Sequence, residues 1–124
     1  MNELKNYISH QEEQGEIHIS EEVLAAIAAA AAQEVEGVSG LATHFSADIA
    51  ERLGKKNMSK GVRVAMEGKN ACVNLAILMT YGCKITEVGQ AVQEAVGIAI
   101  ESMAGLTVAT VNVNVAGMVF PPKT

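Results

Sequence analysis

Residues 81–115, YGCKITEVGQAVQEAVGIAIESMAGLTVATVNVNV, hold a helix that stops at a glycine and passes directly into an alternating strand. Apolar residues recur at Ile85, Val88, Val92, Ala95, Ala99 and Met103, the three-and-four spacing of one stripe along a helix. Gly105 follows as the stop, because glycine enters the left-handed conformation that closes a helix. Val111, Val113 and Val115 then alternate with Asn112 and Asn114, so one strand face is apolar and the other polar. A stripe and a half-buried face, joined by a short turn, are made to cover each other. Leu106 and Val108 have the opposite parity from the three valines. Either the strand starts after Val108, or a bulge near Ala109 and Thr110 resets the face.

Upstream of that stretch, the spacings supply the remaining layers. Residues 1–14 are polar and without period, which predicts a fraying tail. Gly15 to Ile19 alternates briefly, as a short edge strand would. Ser20 stands where an N-cap belongs, and Glu21 and Glu22 suit the positive end of a helix dipole. Val23, Ile27, Ala31 and Val35 draw a stripe through an alanine-rich helix, with Gly37 as its expected cap. Residues 41–60 are the least regular part: a short helix over Ser46–Leu53 ending at Gly54, then an exposed basic loop. Val62 to Met66 alternates. Glu67-Gly68-Lys69-Asn70 reads as a hairpin turn longer than the tight two-residue type. Ala71 to Tyr81 is a longer strand with Val73, Leu75, Ile77 and Met79 on one face and Cys72, Asn74, Ala76, Leu78 and Thr80 on the other. The expected fold is α+β: a small mixed β-sheet of about three to four strands in β-α-β-β-α-β order, with two helices packed on one face. The domain spans residues 15–120, between a tail over 1–14 and a short one over 121–124.

A chain of 124 residues suits one domain that buries roughly two thirds of its unfolded surface. With two Phe, two Tyr and no Trp, the core is aliphatic and stacking platforms for bases or sugars are few. The first residues are polar and acidic where a secretory leader would be basic and then apolar. No uncharged apolar run approaches the roughly 20 residues a spanning helix needs, so direct membrane insertion is not expected. Two cysteines without framework spacing suit a reduced compartment, and a soluble, intracellular protein is the expectation. The net charge of −5 hides an uneven layout. Residues 1–51 hold ten acids and one base, a local −9. Residues 52–69 hold Arg52, Lys55, Lys56, Lys60, Arg63 and Lys69 against Glu67 alone, a local +5. Such a layout can attract further copies or an acidic partner, although a lysine-rich solvated loop would look the same.

Residue types that carry chemistry are scattered. His10, His18 and His44 have no spacing that joins them, and a metal site needs at least three convergent ligands. Cys83 opens a helix, where the dipole can lower a thiol pKa, but Cys72 is too far along the chain for a redox pair. No serine sits in a nucleophile elbow, and no glycine pattern cradles phosphate. These absences point away from an enzyme and from any cofactor. Gly37-Val38-Ser39-Gly40 spells the GxxG with which KH domains clamp a nucleic-acid backbone, yet Glu34 and Glu36 precede it and would repel phosphate. Nucleic-acid binding through the basic segment 52–69 is therefore the second reading, in a chain of pI near 5.1. Asn112 and Asn114 stand out because asparagine is depleted in strands; a face carrying two of them suggests a polar contact.

Two blocks resemble a known family. GEIHISEEVLAAIAAAAAQEVEGVSGL, from Gly15, and YGCKITEVGQAVQEAVGIAIESMAGLTVATVNVNVAGMVF, to Phe120, look like the opening and closing blocks of the bacterial alkaline shock protein family, also called the envelope stress response family. The likeness runs over Gly15 to Phe120 and is interrupted at 41–60. It implies a small non-enzymatic protein of the cytoplasm, tied to cell-envelope and alkaline stress. It also implies self-association, and attachment at the inner face of the membrane through a separate membrane-anchored partner. The chain departs from some members in having no long charged tail after Pro121-Pro122. The expected function is a stress-linked scaffold or adapter. Its candidate contacts are Arg52, Lys55, Lys56, Lys60, Arg63 and Lys69 with the Asn112 and Asn114 face.

Overall fold

A computed structural model describes residues 7–42 and 61–122. In chain order the elements are β1 (Tyr7–Glu12), β2 (Gly15–Ser20), α1 (Glu21–Gln33), β3 (Val38–Leu41), β4 (Val62–Glu67), β5 (Asn70–Thr80), α2 (Ile85–Ala104) and β6 (Thr107–Val119). Strand β5 is the hub. It pairs antiparallel with β4 from Val62↔Leu75 to Glu67↔Asn70, and antiparallel with β3 at Ile77 to Met79. On its other side it pairs in parallel with β6. A parallel partner needs a crossover, and α2 supplies it.

Strands β3 and β4 lie end to end along the same side of β5. Ala76 joins them: its N–H donates to Gly61 O at 2.8 Å and its C=O accepts from Ala42 N at 2.9 Å. Residues 43–60, between these two contacts in the sequence, lie outside the described residues. Gly61 has a φ of +70°, and a Cβ there would lie 2.9 Å from Ala42 O. Only glycine avoids both the left-handed strain and that backbone collision.

Both helices cover one face of this sheet. The core there is aliphatic, as composition requires: Val62 and Val64 from β4, Val73, Leu75, Ile77 and Met79 from β5, Leu24, Ala25, Ala28 and Ala32 from α1, and Val92, Val96, Ile100 and Ala104 from α2. Each fully buried Val, Leu, Ile or Met is worth about 1.5–3 kcal/mol.

Several local expectations hold. Ser20 caps α1, its Oγ accepting from Val23 N at 3.1 Å. Gly105 closes α2 in the left-handed conformation at φ 72°. In β6 the bulge reading is the right one. Strand pairing begins at Thr107, and register with β5 slips where Val108↔Ala71 gives way to Thr110↔Cys72. A second slip at Ala116 brings Gly117 opposite Leu78, where a Cβ would approach Leu78 Cδ2 to 2.9 Å.

Other expectations are corrected. The tail foreseen over 1–14 is, from Tyr7, a strand: β1 pairs with β2 from Tyr7↔Ser20 to Glu12↔Gly15. This hairpin forms its own two-stranded sheet, so β2 is not an edge of the main one, and Ile8 and Ile19 reach the core from it. The place expected for β2 in the main sheet is taken by β3, a four-residue strand foreseen only as loop. The β4–β5 turn is the tight type after all, since Glu67 pairs with Asn70 and only Gly68 and Lys69 lie between. Helix α1 stops at Gln33 with Glu34 as its cap, short of Gly37.

Both predicted stripes are rotated by part of a turn: Val92 is buried as expected and Ile27, Ala31, Val35 and Val88 pack against the core. Val23, Ile85 and Met103 are exposed, and α2 buries the i, i+4 row Val92, Val96, Ile100 and Ala104. These helices carry apolar residues almost all round, so spacing alone does not single out a face. Branched Val96 and Ile100 bury more surface than Ala95 and Ala99, and α1 likewise turns Leu24 inward. The short helix expected over 46–53 lies outside the described residues.

The rotation is measurable. Ile100→Ala should cost about 2–5 kcal/mol of unfolding free energy in denaturant titration. Met103→Ala, 71% exposed, should stay within about 0.5 kcal/mol. Equal losses would contradict the assigned face.

Candidate functional site

No described helix lies on the second face of the sheet, where Ala76 is fully buried in a small cluster with Ala42 and Leu78. Alternation sends Ala65 from β4, Cys72, Asn74, Ala76, Leu78 and Thr80 from β5, and Thr110, Asn112 and Asn114 from β6 to this side. Its most polar row runs straight across three strands, because Arg63 pairs with Asn74 and Asn74 with Asn112. The structure thus brings Arg63 and Asn112, candidates from separate stretches of sequence, into one line with Asn74 between them.

Geometry explains the asparagines. Asn112 Nδ2 donates to Asn74 Oδ1 at 3.1 Å. Asn114 Nδ2 donates to Leu75 O at 3.0 Å. Side-chain amides therefore tie β6 to β5 alongside the backbone ladder, which offsets the poor strand propensity of asparagine. Each amide keeps further donor or acceptor capacity for a partner. Parity places Asn74 on the mixed face, but its pairing with Asn112 depends on a parallel register that local spacing does not reveal.

Of the basic candidates, Arg63 lies in β4 and Lys69 in the β4–β5 turn. Arg63 is half-buried and makes no ion pair among the described residues, and Lys69 is exposed at the end of the sheet. Arg52, Lys55, Lys56 and Lys60 lie outside the described residues, between Ala42 and Gly61 in the sequence.

The remaining candidates for chemistry stay apart. His18 Nδ1 shares a hydrogen bond with Ser9 Oγ at 2.7 Å, and its Nε2 lies 3.3 Å from Glu16. His10 is on the neighbouring strand, and no group of three metal-ligating side chains forms among the described residues. Cys72 and Cys83 are both free and half-buried. Cys83 precedes α2, whose cap is Lys84, and its thiol lies 3.8 Å from Met79 Sδ. Gly37-Val38-Ser39-Gly40 is not the loop of a helix–loop–helix clamp. It enters β3, where Val38 and Gly40 pair with Met79 and Leu78.

Along its outer side β6 meets α2 in a groove of about 530 Å³ lined by Gln93, Gly97, Ile98, Glu101 and Thr110 among others. Glu101 Oε2 accepts from Val108 N at 3.2 Å, and Gln93 Nε2 donates to Val111 O at 3.0 Å.

The model of the alkaline shock protein 23 family, described as having a "cell envelope-related function", matches residues 9–120. The chain belongs to the alkaline shock protein family. That is the family the two sequence blocks resemble, and the match runs through the stretch where the likeness is interrupted. Among relatives, the Bacillus subtilis (strain 168) protein YloU is 38% identical over 106 residues, covering 84% of this chain and 88% of its own. YqhY of the same organism is 32% identical over 109 residues, covering 88% and 81%. Both are described as uncharacterized. A solved MamM CTD overlaps more loosely, at a TM-score of 0.47 and 18% identity over 77% of this chain and 94% of that one.

The amide bridge can be tested by a double-mutant cycle. Asn74→Ala and Asn112→Ala should each destabilise, with a coupling of about 0.5–1.5 kcal/mol in denaturant titration. Purely additive effects would mean that the bond contributes nothing.

Proposed function

We propose that this member of the alkaline shock protein family is a non-enzymatic scaffold or adapter of the cell envelope. It associates with itself and docks on a membrane-anchored partner at the cytoplasmic face. The observation that carries the reading is the family match over residues 9–120. Charge supports it: an acidic front of −9 and a basic segment of +5 favour contact between copies or with an acidic partner. Attachment through a partner suits a chain in which no described helix is long and apolar enough to cross a membrane. The basic segment and the Asn112 and Asn114 face of the sheet are the proposed contacts. Arg63 belongs to both, and Asn112 and Asn114 share the second.

Changing Lys55, Lys56 and Lys60 together to Glu tests this. The variant should be lost from the washed membrane fraction and should associate more weakly at low salt. Added salt should weaken the wild type in the same direction, because exposed charges are screened within about 10 Å at 0.1 M. A variant with unchanged fractionation and sedimentation would remove the basic segment from the account.

A further inference from the structure

The outer side of β6 is closed over one half and open over the other. Towards its start, Glu101 takes the Val108 N–H and Gln93 serves the Val111 C=O, so helix side chains occupy the backbone groups an incoming strand would use. No described strand pairs with this side. Backbone direction alternates along a strand, so Val113 and Val115 point their N–H and C=O groups to the same outer side as Val111. The slip at Ala116 shifts the alternation by one residue and turns the Met118 backbone outward. The inward direction of Val119 agrees, since its C=O accepts from Tyr81 N at 2.8 Å.

Apolar side chains gather along the open half. Val115 is 39% exposed, Met118 36%, Val119 41% and Phe120 67%. Phe120 stacks on exposed Tyr81 with ring centroids 4.6 Å apart. Natural edge strands are usually blunted by lysine, proline, inward-pointing charge or a bulge. Within Val113 to Phe120 the slip at Ala116 is the one such device, no charge is present, and proline arrives only at Pro121-Pro122.

We propose that this edge, from Val113 to Met118, receives β6 of a second copy, paired antiparallel about a two-fold axis. The proposal rests on the self-association argued above and names the surface that carries it. Charge selects the occupant. The acidic and basic segments that draw copies together lie before residue 70, and no charged residue lies between Glu101 and Lys123, so identical edges meet there without like-charge contact. Antiparallel pairing of one strand with itself is isologous, and each contact is made twice. The helix-capped half of each β6 lies beyond the paired segment.

Two variants address the edge without touching the β5 ladder. Val115→Pro removes an outward N–H, and proline is tolerated on edge strands. Met118→Lys places a charge where the partner strand would lie. Sedimentation velocity over a wide concentration range is the readout, with far-UV circular dichroism to establish folding. The wild type should associate as concentration rises. Each folded variant should need at least about tenfold more protein, because a two-fold contact loses the bond or gains the charge twice. Should Val115→Pro fail to fold, Met118→Lys decides alone. Folded variants that associate like the wild type would overturn the β6 edge and leave the scaffold reading standing. A wild type that stays monomeric throughout would overturn both, leaving the edge to an extended segment of another protein.

Discussion

Strand β5 has hydrogen-bonded neighbours on both sides and helices on one face, and the other elements depend on that placement. Its row Val73, Leu75, Ile77 and Met79 is fully buried beneath α1 and α2. On one side it holds β4 and β3 end to end, with Ala76 bonded to the chain on either side of the gap between them. On the other it holds β6 in parallel, a pairing that exists only because α2 carries the chain back. A polar residue in that row would leave an unpaired group in a dry aliphatic layer, at a cost of about 1–3 kcal/mol or more.

From this constraint follows an asymmetric molecule. One sheet face packs beneath α1 and α2; the other carries no described helix and holds the Arg63, Asn74 and Asn112 row. The long β6 is left at the edge, tied inward by Asn112 and Asn114 and outward, over its first half, by Gln93 and Glu101. Among the described residues, the ion pairs are surface ones such as Lys84 with Glu87 at 3.9 Å, which contribute little to stability. Stability resides in the aliphatic layer and the backbone ladder. Charge is left available for contacts with other molecules.

Features decided within a few residues are legible in the sequence. The Ser20 cap, the Gly105 stop, the inward row of β5 and the parity change in β6 each have a local cause. Features decided by distant partners are not. Strand β1 is mostly polar and gains its place by pairing with β2, with Ile8 packed against the core. Strand β3 is short, contains Gly40, and is recruited by the end of β5. The helix stripes read from spacing are turned only part of the way from the buried faces, with Val92 common to both, because apolar residues lie on several sides of α1 and α2 and packing volume chooses the buried face. Asn112 and Asn114 are visible as unusual strand residues, while Asn74 gains meaning only from the parallel register. The family is legible because its two blocks contain those same caps and alternations.

Residue-resolved amide hydrogen exchange, at low and high protein concentration, tests the central claim most directly. Leu75 and Ile77, whose amides face β6 in a hub strand paired on both sides, should exchange slowest at every concentration. Outward amides at Val113, Val115 and Met118 should exchange quickly in dilute protein and become protected as concentration rises. Fast exchange at Leu75 and Ile77, or edge amides indifferent to concentration in a protein that does associate, would contradict the account.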